Sequence, residues 1–165
     1  MALSKQKQLA QKILSLEDLS SVVKQWKDEG QHIVFTNGVF DLLHAGHITY
    51  LSEAADLGTK LIIGLNSDSS VQRIKGPTRP VNNNETRSLL LASMFFIDAI
   101  VLFSDDTPLE LIKAVLPDVL VKGGDYQADH IVGARETREN GGEVKVLTFL
   151  PGYSSTAVID KIKNS

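Results

Sequence analysis

The chain has 165 residues, of which 42% are hydrophobic and 22% charged, and its formal net charge is −3. That composition describes one globular domain able to bury roughly two-thirds of its unfolded surface, so disorder is excluded and no staple is needed. The lack of cysteine excludes a disulfide framework, a zinc knuckle and thiol chemistry, and the acidic balance speaks against a broad nucleic-acid face, which needs Lys and Arg in excess.

Residues 1–14 carry Lys5, Lys7 and Lys12 without the apolar run or cleavage site of a secretory signal. No apolar run approaches the ~20 residues that span a bilayer, because the densest, Leu89 to Phe103, is broken by Ser93 and Asp98. A cytoplasmic chain with no membrane partner is expected. Leu16, Leu19, Val22, Val23 and Trp26 recur at helical spacing behind Ser15 and Asp18, and Gly30 stops the run. The apolar side of that helix must be covered by its own domain or by a partner. His32 to Thr36 predicts a buried strand ending at Asn37-Gly38, and His47 to Leu57 predicts a helix closed by Gly58. Lys60 to Leu65 is the next buried strand, so this order reads as a βαβ unit with parallel strands. Arg73 to Asn84 contains Gly76, Pro77 and Pro80 without periodicity and reads as a long loop near a site. The alternation then resumes with helix Glu85–Phe96, strand Ala99–Phe103, helix Pro108–Val115, strand Asp118–Val121, strand Glu143–Phe149 and helix Ser155–Ile162. The expected fold is α/β and doubly wound with a mainly parallel sheet, as a helical extension over residues 1–30 and one domain over residues 31–165.

Ligands of an open parallel sheet bind beyond the carboxyl ends of its strands. Those ends are polar here: Asn37 to His47, Asn66-Ser67-Asp68, Lys122-Gly123-Gly124-Asp125 and Gly152 to Thr156. His44-Ala45-Gly46-His47 sets two imidazoles beside a helix N-terminus, with a glycine that lets a phosphate approach the backbone. An isolated pair of this kind is as readily a helix cap, but its place after a buried strand and a glycine turn favours a phosphate corner. Ser154, Ser155 and Thr156 suit either a cap or β- and γ-phosphates, since both use one geometry. By itself Lys75 reads as a solvated lysine, and Arg87 as either a ligand group or an exposed helix partner. Gly123 lets a planar base lie against the backbone. Asp125 faces a ligand or caps a segment, while Asp41 binds acceptor or magnesium or holds its turn. His32 and His130 read as structural or exposed.

Asn37-Gly38-Val39-Phe40-Asp41-Leu42-Leu43-His44-Ala45-Gly46-His47 resembles the cytidylyltransferase-like branch of the nucleotidyltransferases, which carry His-x-Gly-His on a Rossmann-like fold. Leu65 to Asp68, Arg73 to Asn82, Leu120 to Tyr126 and Asn140 to Val144 look like the bacterial D-glycero-β-D-manno-heptose 1-phosphate adenylyltransferases. The resemblance runs from about Ile33 to Ile162 and implies transfer of AMP from ATP to that sugar phosphate, giving ADP-heptose and pyrophosphate for envelope lipopolysaccharide. Mg²⁺ would assist, with no residue assigned as a metal ligand. By matching positions, His44, His47 and Lys75 are implied to be catalytic. Asn37, Gly38, Val39, Phe40, Gly46, Arg87, Gly123, Tyr153, Ser154, Ser155 and Thr156 are implied to bind the nucleotide, and Asp41, Asn66, Asp68, Arg79, Asn82 and Asp125 the acceptor. Relatives often carry an arginine where this chain has Leu150-Pro151-Gly152, which gives Lys75 or Arg87 more weight. The alternatives are a cytidylyltransferase acting on glycerol 3-phosphate and a non-catalytic nucleotide-binding regulator. The family commonly pairs, so a homodimer is expected, and a separate kinase is expected to supply the sugar 1-phosphate.

Overall fold

The computed structural model describes residues 3–164. Its elements are α1 (Lys5–Ala10), β1 (Ile13–Leu14), α2 (Leu16–Asp28), β2 (Ile33–Gly38), α3 (Ala45–Ala55), β3 (Lys60–Asn66), α4 (Asp68–Lys75) and α5 (Asn84–Ala92). They continue as β4 (Ala99–Phe103), α6 (Leu109–Val115), β5 (Val119–Gly123), a 3₁₀ turn (Ala128–His130), α7 (Ala134–Glu139), β6 (Glu143–Leu147) and α8 (Ser155–Lys163). The strands form one sheet in the order β1-β4-β3-β2-β5-β6, and every neighbouring pair is parallel. This is the Rossmann-like, doubly wound α/β fold.

Strand alternation divides the core into two layers. Ile33 and Phe35 of β2, Val101 and Phe103 of β4 and Leu120 of β5 pack with α2, α6 and α7 on one face. Val34, Leu61, Ile63, Val119 and Val121 pack with α3 and α5 on the other. Because both faces are covered, the central strands read as continuous apolar runs. The apolar side of α2 is covered by its own domain: Leu19 and Val23 are buried in the first layer, while Leu16 stays 51% exposed. Among the described residues no helix is long and apolar enough to cross a membrane.

Several boundaries differ from the sequence reading. Arg73, Ile74 and Lys75 close α4 and are not loop; Ser67 caps the helix start by accepting from the Ser70 N–H, and the helix ends at Gly76, whose φ is +95°. Helix α5 stops at Ala92, four residues early, where the Ser93 hydroxyl donates to the Leu90 carbonyl and Phe95 is left 92% exposed. Strand β6 ends at Leu147 and not at Phe149. Elements α1, β1, α4 and α7 are unforeseen from sequence; α4 has eight residues and the others six or fewer.

Candidate active site

A cavity of about 490 Å³ opens where the carboxyl ends of β2, β3 and β5 meet the first turn of α8. At the β2/β5 boundary the chain order reverses, so the connections diverge and leave a crevice. Asn37 and Gly38 reach it from β2, Lys122 and Gly123 from β5, and Ser155 and Thr156 from α8.

The turn after β2 ends at His44, the N-cap position of α3, whose side chain makes no capping bond. Its imidazole instead stacks on His47, with ring centroids 3.9 Å apart and planes 19° apart. A helix cap therefore does not account for the pair. Gly46 makes room for this contact, since a Cβ there would lie 3.1 Å from His44 Nδ1 and 3.0 Å from Tyr153 Cβ, and both would have to give by a few tenths of an ångström. Phe40 meets the edge of His47 at 5.4 Å and completes its apolar cover. Burial, followed by the neighbouring His44, pushes the His47 pKa down to about 4, and burial lowers that of His44 as well. Both rings are thus neutral near pH 7, and each keeps its Nδ1 buried with no hydrogen-bond partner. Buried polar atoms without a partner are few in folded proteins; Ser88 Oγ and Thr137 Oγ1 are in the same state.

These shifts predict a pH dependence. Between the ordinary value of 6.5 and about 4, an unfolded chain takes up a proton on His47 that the native chain refuses. Native stability should therefore fall as pH drops through that window. Comparing melting temperatures of wild type and His47→Asn from pH 7 to 4 tests this. The variant is expected to show a shallower fall, and parallel curves would refute the assignment.

The hydroxyls opening α8 divide their work. Ser154 caps the helix by accepting from the Ala157 N–H, and Ser155 Oγ donates to the Leu42 carbonyl, tying α8 to the histidine turn. Thr156 lines the cavity with no bonded partner among the described residues. Lys75, at the end of α4, also lines it and pairs with no carboxylate among those residues. Tyr153 lies 49% exposed with its ring 6.0 Å from that of His44.

Other expected ligand groups are committed to the scaffold. Asp41 is 2% exposed and accepts from Arg79 Nε at 2.7 Å and from the Val81 and Asn82 N–H groups at 2.9 Å. Burial would raise its pKa, but those two backbone bonds and Arg79 outweigh it and hold the carboxyl below the usual range. Arg87 was expected at the nucleotide and instead is fully buried. Its Nε donates to the Asn82 carbonyl, Nη1 to those of Val39 and Asn66, and Nη2 to Asp68 and Asn84. All five guanidinium protons are used, leaving none for a phosphate. Asp68, expected at the acceptor, is held by that same Arg87 and by the Asn84 N–H. Asn82 binds Asp41, and neither Asn82, Asp68 nor the exposed Asp125 lines the cavity, whereas Asp41, Asn66 and Arg79 do.

Lys122, which the sequence places at a polar strand end without giving it a role, enters the site. Its Nζ lies 3.4 Å from Asn37 Oδ1 and 5.9 Å from the centroid of Tyr126, inside the cavity, and burial lowers its pKa. The signal was a lysine ending the otherwise apolar strand Val119–Gly123. At Gly123 a Cβ would meet the Phe149 ring at 2.4 Å and Tyr50 at 3.0 Å, so the space over this backbone, expected to take a planar base, is filled by the chain's own Phe149. Among the described residues no group of three His, Asp or Glu side chains is placed to hold a metal ion. The carboxylates lining the cavity are Asp41, engaged by Arg79, and Asp106, so a Mg²⁺ ion here would be held mainly by phosphate oxygens and water.

The geometry agrees with what the chain is similar to. The family model described as Cytidylyltransferase-like matches residues 35–161. The bifunctional protein HldE of Wolinella succinogenes is 48% identical over 162 residues, covering 98% of this chain and 33% of the relative. Its namesake from Haemophilus influenzae is 52% identical over 151 residues, covering 92% and 32%. The chain thus spans about a third of the length of these curated relatives. The crystal structure of a lipopolysaccharide core biosynthesis protein from Thermoplasma volcanium superposes with a TM-score of 0.60 at 27% identity, over 73% of this chain and 98% of that one. A pantoate-beta-alanine ligase from Francisella tularensis shares the fold, with a TM-score of 0.60 at 15% identity over 93% of this chain and 78% of its own. With the family model spanning both the stacked histidines and the opening turn of α8, the chain belongs to the cytidylyltransferase-like family of nucleotidyltransferases.

Proposed function

We propose that the chain transfers AMP from ATP to D-glycero-β-D-manno-heptose 1-phosphate, giving ADP-heptose and pyrophosphate for lipopolysaccharide synthesis in the cytoplasm. The observation that carries the reading is the neutral, stacked pair His44 and His47 at an α-helix start without a side-chain cap, beside a cavity that also holds Lys75 and Lys122.

An oxygen of the acceptor phosphate attacks the α-phosphorus of ATP, and the bond from that phosphorus to the bridging oxygen breaks to release pyrophosphate. Little covalent work falls to the protein; it must hold two anions in line and offset the developing charge. The histidines donate N–H groups to the α-phosphate, and a neutral donor pre-set at this position gains most when charge builds there. Lys75, Thr156 and the N-terminus of α8 receive the β- and γ-phosphates. Asn37, Gly38, Val39, Phe40, Gly46, Gly123 and Tyr153 line the nucleotide's path, with Ser154 and Ser155 shaping α8. Arg79, Asn66 and Asp41 bound the acceptor side. Bound with the triphosphate, Mg²⁺ would supply charge neutralisation of the leaving pyrophosphate.

Turnover of ATP and CTP with heptose 1-phosphate and glycerol 3-phosphate tests the assignment. A polyhydroxylated acceptor leaves fewer pocket groups unpaired, so kcat/KM with heptose 1-phosphate should exceed that with glycerol 3-phosphate by roughly two or more powers of ten. ATP should be preferred. Equal rates, or a preference for CTP, would favour the cytidylyl reading that the family's description suggests. Nucleotide binding without pyrophosphate release under any acceptor would mark a regulator.

A homodimer completes the proposal. The exposed apolar residues Leu89, Leu90 and Leu102 support pairing. Light scattering at micromolar concentration should give twice the chain mass, and a monomer would refute it.

A further inference from the structure

The triphosphate corner and the end of β5 lie on different faces of the sheet. Helix α3, which carries His47, packs on the layer containing Val34 and Val121. Side chains alternate along a strand, so Lys122, which follows Val121, projects toward the opposite layer, with Leu120. Asn37, two residues beyond Phe35 in β2, projects the same way, which is why its Oδ1 meets Lys122 Nζ at 3.4 Å. Thr107 and Pro108, leading into α6, and Val132, beside Ile131, line the cavity too, and α6 and Ile131 belong to the Lys122 layer.

Lys122 is a partly buried cation without a counter-ion. No carboxylate among the described residues pairs with it, and its bond to Asn37 is long. The two carboxylates that line the cavity are engaged elsewhere, Asp41 by Arg79 and Asp106 by Arg73. An ammonium held away from water with only an amide oxygen and an aromatic face is costly until an anion reaches it. The proposed function requires two phosphate-bearing substrates, and the first already has the histidines, Lys75 and the start of α8.

Resting on that reading, we propose that Lys122 receives the phosphate of the acceptor, a phosphomonoester, in a compartment bounded by Thr107, Pro108, Tyr126 and Val132. Lys122 then sets the position of the attacking phosphate from the sheet face opposite the triphosphate, which suits an in-line approach. It is a specificity-determining residue for phosphomonoester acceptors.

Calorimetric titration of wild type, Lys122→Met, Lys122→Gln and Lys122→Arg separates the two substrates. The probes are ATP alone, heptose 1-phosphate and glycerol 3-phosphate, each phosphomonoester with and without a non-hydrolysable ATP analogue. Removing a charged hydrogen-bond donor should weaken phosphomonoester binding, and raise acceptor KM, by about tenfold to a hundredfold. ATP affinity should stay within about threefold in all variants, and Lys122→Arg should recover most of the loss because it restores the charge. An equal loss of ATP affinity would assign Lys122 to the triphosphate. Unchanged phosphomonoester binding in both the Met and Gln variants, or no phosphomonoester binding by wild type, would also overturn the inference. If wild type binds both phosphomonoesters through Lys122 yet forms no ADP-heptose, the substrate reading fails and the Lys122 site stands.

Discussion

Replacing His44 or His47 with alanine is expected to lower kcat by roughly two or more powers of ten while the protein remains folded. The pair sits where charge develops in the proposed reaction, and loss of one pre-set donor at such a position removes about 3–4 kcal/mol of transition-state stabilisation. Because the rings are neutral and already fixed by their 3.9 Å stacking, little reorganisation accompanies the chemical step. The loss should therefore fall on kcat, with KM for ATP changing much less. The double variant should be little worse than either single one, because two groups acting on one phosphate work as a unit. A purely structural pair would behave in the opposite way: melting temperature would fall and turnover per folded molecule would be kept. Steady-state kinetics beside thermal melts decides between them, and wild-type turnover in both single variants would sink the assignment.

The largest stability effect is expected at Arg87. Arg87→Met should cost about 3–5 kcal/mol, because it leaves several buried acceptors without a donor. The side chain draws together the Val39 carbonyl after β2, the Asn66 carbonyl ending β3, Asp68 in α4, and Asn82 and Asn84 around the start of α5. Arg87→Lys should restore little, since three rotatable N–H groups cannot match five acceptors arranged around a planar fork. The site would be disturbed indirectly, through the Arg79–Asn82 segment that Asp41 also holds. Chemical denaturation measures the effect. A variant with wild-type stability but weakened ATP binding would return Arg87 to the nucleotide and overturn the structural role.

Much of this protein is legible in its residues. The apolar runs of β2, β3, β4 and β5 announced a buried parallel sheet, and Leu19, Val23 and their neighbours announced α2, because burial on one or both faces writes its own periodicity. The histidine corner was legible too, since a strand, a glycine turn and His-x-Gly-His lie contiguously in the chain. The same residues left their own alternatives open, however: whether His44 caps α3, and whether Ser154, Ser155 and Thr156 cap α8 or meet phosphates. Tertiary structure excludes a side-chain cap by His44, which stacks on His47, gives the cap of α8 to Ser154, and ties Ser155 to Leu42, 113 residues away.

Only the fold could assign Arg87, Asp41 and Lys122. A charged residue's role depends on which partners converge on it, and those of Arg87 come from positions 39 to 84, close only once β2, β3 and α5 are packed. The Asp41 carboxylate looks like a free ligand group until Arg79, Val81 and Asn82 fold back over it. Lys122 is only one polar residue at a strand end until the pleat of β5 turns it into a crevice made by strands 85 residues apart in sequence. Strand β1 is the extreme case, since two residues carry no periodicity and form a strand only because the β4 edge is there to pair with them. Local sequence therefore determined the elements through propensity and burial pattern, while long-range packing determined which polar groups were left free to meet a substrate.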